Sequence, residues 1–184
     1  HDDAAFDGVT FDGTAVFSGV EFDGGDNVED DDVTFADAVF ERDAHFDHAE
    51  FAYANFQSVQ IAGEASFLDS TFVDRASFVD AVFLGRAGFA EVTFEDDALF
   101  ADCSVTGDAS FFGVEFEGGT SEVADAAFTG AVFAGDVDFR EIECADFEIA
   151  SVSVDGTATF TGSQFGRLDA EAARFRGDVD LSHT

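Results

Sequence analysis

Carboxylates dominate the groups in this sequence that could do chemistry: 41 Asp and Glu stand against seven basic residues, every one an Arg, for a net charge of −34. The densest run is DGGDNVEDDD at positions 23–32. There Asp23, Asp26, Glu29, Asp30 and Asp32 offer hard oxygen ligands of the kind Ca²⁺ takes, beside a Gly24-Gly25 turn. The run occurs once, so we read it as a solvated acidic loop, with Ca²⁺ the alternative and no cofactor otherwise expected. A carboxylate pair for glycoside hydrolysis needs one acid raised in an apolar pocket. With acids everywhere, such a pair carries no information by itself. His1, His45, His48 and His183 do not fall at metal-ligand spacing. No nucleophile elbow, phosphate loop, dinucleotide fingerprint or Cys-x-x-Cys pair is present. The expectation is a non-catalytic protein, with no catalytic, cofactor or metal residues.

The elements that would position any of these groups are written in the phenylalanines. From Ala65 to Phe116, the residues Phe67, Phe72, Phe78, Phe83, Phe89, Phe94 and Phe100 follow at steps of 5, 6, 5, 6, 5 and 6. Val105, Phe111 and Phe116 keep the beat. Two positions before them stand Ala65, Ser70, Ala76, Ala81, Ala87, Val92, Ala98, Cys103, Ala109 and Val114. The unit is A/V-x-F with two or three acidic or Gly spacers, and an 11-residue double step marks a repeat architecture.

Steps of 5 and 6 drift around a 3.6-residue wheel and leave no helical stripe. In a short extended piece, residues i and i−2 point the same way. The small residue and the Phe therefore face inward together, the residue between them faces out, and the spacers turn a corner. Short sides turning in one sense give a coil, and coils stack at about 4.8 Å through backbone hydrogen bonds. If four sides make a coil, residues 22 apart stack: Phe67 on Phe89 on Phe111, and Phe72 on Phe94 on Phe116.

The beat begins at Phe6, Phe11, Phe17 and Phe22 and resumes at Phe35, Phe40, Phe46 and Phe51. Val28 is read as the core substitute between them, with two residues inserted. Phe56 and Ile61 continue with one spacer missing. After Phe116 a second irregularity, near 117–124, takes Val123 as its core residue. Both follow matching phrases, VEFDGG and VEFEGG, whose Gly pairs let a loop bulge. Near Ala145–Val154 the pattern weakens, with Ile149 in the slot and Phe147 displaced. LDAEAARF at 168–175 fits either a helical turn or the repeat, and Leu181 closes the series. Cys103 takes a small-residue slot and Cys144 a Phe slot. Counted nearly two coils apart, roughly 9 Å at strand spacing, they are too distant for a disulfide and are read as buried free thiols.

The A/V-x-F unit resembles the pentapeptide-repeat family, from Ala4 to Leu181. The resemblance implies an all-β fold, a right-handed quadrilateral parallel β-helix. It also implies that the inward Phe residues, with Ala65, Ala76 and Ala87, form the core. The six-residue alternate steps and the rarity of Asp or Asn before the central residue depart from the family pattern; Ala-Asn-Phe at 54–56 and Ala-Asp-Phe at 145–147 keep it. The expected organisation is one solenoid over 1–184, of about eight coils, with irregular loops near 23–34 and 117–124. The chain opens on His1 without Met, and we expect it to be part of a longer or processed protein.

Charge sets the functional expectations. A basic nucleic-acid surface is excluded, and no apolar run approaches the roughly 20 residues of a membrane span. The absence of Lys points to adaptation to molar salt, where the Debye length is about 3 Å. The cytoplasm of a salt-accumulating organism is the expected setting. The main expectation is a rigid, acidic, structural or interaction scaffold whose protein partner the sequence does not name, with an end-to-end homodimer compatible with the architecture. The alternative, implied by the resemblance, is a DNA mimic acting on a type II topoisomerase, in gyrase inhibition or protection. About eight coils make roughly 40 Å of rod, on which the net charge exceeds one per 1.7 Å, the linear density of B-DNA.

Overall fold

The computed structural model describes residues 4–22, 33–118 and 124–184. Among them every regular element is a strand, nearly all two residues long, and every pairing is parallel. The chain is an all-β parallel solenoid with four walls. The first wall begins with Ala4–Ala5, the second with Thr10–Phe11, the third with Ala15–Val16 and the fourth with Glu21–Phe22. The second and third walls are separate ladders of eight strands each. The first and fourth merge into one 13-stranded sheet.

Inside, side chains of one size stack upon themselves. The first wall sends in Phe6, Phe35, Phe56, Phe78, Phe100 and Phe128, each ring stacked on the next at 4.7–5.0 Å. The third wall sends in Phe17, Phe46, Phe67, Phe89, Phe111, Phe139 and Phe160, stacked at 4.8–5.2 Å. Rings of the two walls meet edge to face, as Phe67 meets Phe78 at 5.5 Å and 86°. Such offset and T-shaped pairs add about 0.5–1.5 kcal/mol each beyond area burial. Phe67, Phe72, Phe78, Phe83, Phe89, Phe94, Phe100, Phe111 and Phe116 are all buried, and Phe72–Phe94–Phe116 form the expected column.

Register corrects the count at both irregular places. Phe35 stacks directly on Phe6, and Val33 pairs with Ala4, an offset of 29 where the regular repeat has 21 or 22. The side that follows Phe22 is therefore built on Phe35, not on Val28, and the excess is seven or eight residues instead of two. Phe128 likewise stacks on Phe100, so it and not Val123 carries the side after Phe116. Residues 23–32 and 119–123, where most of the two expected loops fall, lie outside the described residues. Cys103 and Cys144 consequently sit on opposite walls of adjacent levels, not nearly two coils apart, and both are buried and free.

Where the sequence pattern weakens, volume is conserved. Cys144 stacks on Phe116 in a Phe column, and Phe147 pairs with Ala126 in a small-residue column. The Phe147 ring fills the space a small thiol leaves, touching Phe128 at 5.4 Å, Phe139 at 5.5 Å and Phe165 at 4.9 Å. A volume-conserving swap of this kind is the best-tolerated change in a packed core. Here the corner straightens into the strand Glu143–Glu148, and the next level repeats it in Gln164–Asp169. The 168–175 stretch thus follows the repeat, with Phe175 stacked over Val154, and forms no helix.

Candidate functional site

The four corners differ in kind, and they decide where polar groups go. Each first-wall and third-wall side ends in a tight turn whose second residue past the Phe has positive φ, while the residue between stays negative. Val9 N–H donates to the Phe6 carbonyl at 3.1 Å, and Ala81 N–H to that of Phe78 at 3.1 Å, the geometry of a type II turn. Gly8, Gly19, Gly113, Gly130 and Gly162 occupy this position, but so do Asp37, His48, Asp69, Asp80, Glu91, Asp102 and Ala172. Outward residues of the same sides cap the turns: Asn55, Asp138, Asp169 and Asp180 accept from the backbone N–H two residues on.

The corner from second to third wall always takes three residues, and its middle one is Gly13, Gly63, Gly85, Gly107, Gly135, Gly156 or Gly177, with Arg42 as the exception. A Cβ on Gly107 would lie 2.6 Å from the Gly85 carbonyl oxygen, and one on Gly177 would lie 2.2 Å from that of Gly156. Beside this bare column, carboxylates tie one level to the next: Asp43 accepts from Glu64 N–H at 2.9 Å, and Asp136 from Thr157 N–H at 2.7 Å. The corner from fourth to first wall holds both long irregularities and every five-residue exception among its steps.

Walls therefore differ in charge. The fourth presents Glu21, Glu50, Thr71, Thr93, Glu115, Glu143 and Gln164 outward. The second presents Thr10, Val39, Gln60, Val82, Ser104, Val132 and Ser153, none of them charged, and ends on Arg174. On the first, Leu99 points outward yet is buried, because Ala124 and Ala127 pack over it. Along the third runs a shallow groove of about 410 Å³ bordered by Arg86, Asp108, Asp136 and Arg140. Arg140 is held by Asp138 at 2.6 Å and lies over the Phe112 ring at 5.4 Å.

The candidate Ca²⁺ ligands Asp23, Asp26, Glu29, Asp30 and Asp32 lie outside the described residues. Among the described ones, no three His, Cys, Asp or Glu converge as a metal group would require. His45 faces out from the third wall, half-buried. His48 sits at a positive-φ corner, its Nδ1 3.1 Å from an Asp69 carboxylate oxygen. The structure does not bring the two together with a third ligand. Both thiols are pushed up to about 12, Cys103 by burial and then by Asp102, Cys144 by burial and then by Asp125. A thiol held neutral in this way is a poor nucleophile and metal ligand. Buried hydroxyls are structural too: Ser70 donates to the Phe46 carbonyl and accepts from Ala49 N–H, and Ser163 does the same with Phe139 and Ile142. Spacing alone missed the glycine column and the positive-φ acids, although the recurrence of Gly at 63, 85 and 107 was legible.

A family model described as pentapeptide repeats (9 copies) matches residues 46–93. No curated protein matches the chain. The matched residues lie within the regular levels, where offsets are 21 and 22. No helix is long and apolar enough to cross a membrane among the described residues.

Proposed function

We propose that this solenoid is a non-catalytic interaction scaffold, adapted by its acidic surface to a salt-rich cytoplasm. One observation carries the reading: the interior is filled by stacked rings, while Asp and Glu collect on corners and on the fourth wall. Rigid walls with charges at fixed spacing suit docking, and the varied residues project from a constant backbone. The acidic fourth wall also favours a second reading, mimicry of the nucleic-acid backbone before a basic groove of a type II topoisomerase. A supercoiling assay with the host gyrase separates the two. A scaffold leaves supercoiling unchanged at micromolar concentration. Inhibition or protection that disappears when Glu50, Glu115 and Glu143 are changed to Gln would replace the scaffold reading with the mimic.

A further inference from the structure

The second wall carries an uncharged band across the middle levels of this acidic molecule. Over four successive levels its outward residues and their downstream neighbours are Gln60 and Ala62, Val82 and Leu84, Ser104 and Thr106, Val132 and Ala134. None is charged. Leu84 is 54% exposed and Val132 45%. Gly63, Gly85, Gly107 and Gly135 leave the middle of the adjoining corner bare, and the charged residues that follow them, Glu64, Arg86, Asp108 and Asp136, border the third-wall groove.

The ends of this wall carry opposite charge. Asp12 and Glu41 stand on its first two levels, Asp155 on its seventh, and Arg174 and Arg176 on its eighth. Arg176 pairs with Asp155 one level below, and Arg174 has no ion pair among the described residues. We propose that the second wall is a self-association face, on which a second copy docks antiparallel about a two-fold axis along the strand direction. That operation sets the first level against the eighth, Asp12 against Arg176 of the second copy, and the uncharged levels against one another with Leu84 near Thr106. It also sets the second level against the seventh, where Glu41 meets Asp155 of the second copy and adds a repulsion that salt must screen. A parallel arrangement would place Arg174 against Arg176 of the second copy.

The face is roughly 34 Å tall over seven level spacings and about 15 Å wide, or about 500 Å² per copy. That is the small end of specific interfaces and implies a weak dimer. Asp80 and Asp102, on the upstream corner, approach each other across the axis, so association needs enough salt to screen them. This goes beyond the scaffold reading and stands or falls without it.

Analytical ultracentrifugation in about 0.5 M NaCl, from roughly 5 to 200 µM protein, tests the proposal. The expected result is a monomer–dimer equilibrium that Leu84→Glu weakens at least about tenfold, while Thr93→Glu on the fourth wall leaves it unchanged. Both sites are exposed or half-buried, and circular dichroism checks that each variant is folded; if Leu84→Glu unfolds, Val132→Ser takes its place. Arg174→Glu with Arg176→Glu should abolish association, and adding Asp12→Arg and Glu41→Arg should restore it. A monomer at every concentration, a dimer indifferent to Leu84, or a charge swap that restores nothing would each overturn the proposal.

Discussion

Phe89 is stacked between Phe67 at 4.8 Å and Phe111 at 5.1 Å and meets Phe78 and Phe100 edge-on, with 1% of its surface exposed. Phe89→Ala should therefore cost about 3–5 kcal/mol, since the column cannot collapse into the gap without moving a level. Gly88 faces outward, and a Cβ there would meet only the Ala65 carbonyl oxygen at 3.5 Å, an ordinary contact. Gly88→Ser should cost far less, and denaturant melts of the two variants check the in-and-out assignment. The buried thiols give a pH prediction. Each is raised in the folded protein from an ordinary 9.0 to about 12. Between those values the unfolded chain has lost the proton and the folded one keeps it, so stability falls as pH rises from about 9, by up to about 1.4 kcal/mol per unit and thiol. Below pH 9 both states are protonated and the effect vanishes. Chemical melts at pH 8 and 10.5 should show this loss, and a Cys103→Ala, Cys144→Ala variant should lose less across the same interval.

At the scale of the side and its corner, the sequence was most legible where packing demands it and least where backbone does. Inward residues repeat because large apolar side chains stacked level on level fill the coil, so Phe67, Phe89 and Phe111 could be stacked once their spacing was joined to the four-sided coil that the resemblance implies. Val28 and Val123 were misplaced because an apolar residue near the right interval looks like a core residue, whereas only register shows that Phe35 covers Phe6. Positive φ at the corners was not legible at all, because Asp37, Asp80 and Ala172 adopt it where hydrogen-bonded levels on either side fix the backbone. Non-Gly residues there cost about 1 kcal/mol or more. Ala172 is exposed at φ +59, so Ala172→Gly should stabilise by about 0.5–1 kcal/mol, read as a raised thermal midpoint. The opposite holds at the glycine column. Gly107→Ala drives a Cβ to 2.6 Å from the Gly85 carbonyl oxygen and should cost about 1–3 kcal/mol. Gly13→Ala, with nothing within 4 Å of its Cβ position, is the matched control and should be nearly neutral.

On the scale of the whole molecule, the solenoid opposes its own charge. Levels repeat at about 4.8 Å, so an outward acid has another directly above it wherever the column is acidic, as Glu21 lies beside Glu50 and Glu115 beside Glu143. Like charges facing each other across a ladder destabilise it. Some are relieved within the fold, by Arg167 reaching both Asp146 and Asp169 or by carboxylates accepting backbone N–H groups, but seven Arg cannot offset 41 acids. What remains must be screened from outside. At about 1 M salt the Debye length falls to about 3 Å, less than one level, whereas at 0.1 M it spans about 10 Å, or two. If the acidity is an adaptation to salt, the thermal midpoint should climb steeply and monotonically from 0.1 M to 2 M KCl, followed by circular dichroism. A protein selected to imitate nucleic acid before a basic groove has to be folded at modest salt, because salt weakens that binding as it weakens DNA binding. A midpoint that stays flat over the same range would count against salt adaptation and shift the functional reading to the mimic. The stacked rings add no charge of their own to this dependence, so Phe89→Ala should lower the curve without changing its slope, while Glu115→Gln with Glu143→Gln should flatten it.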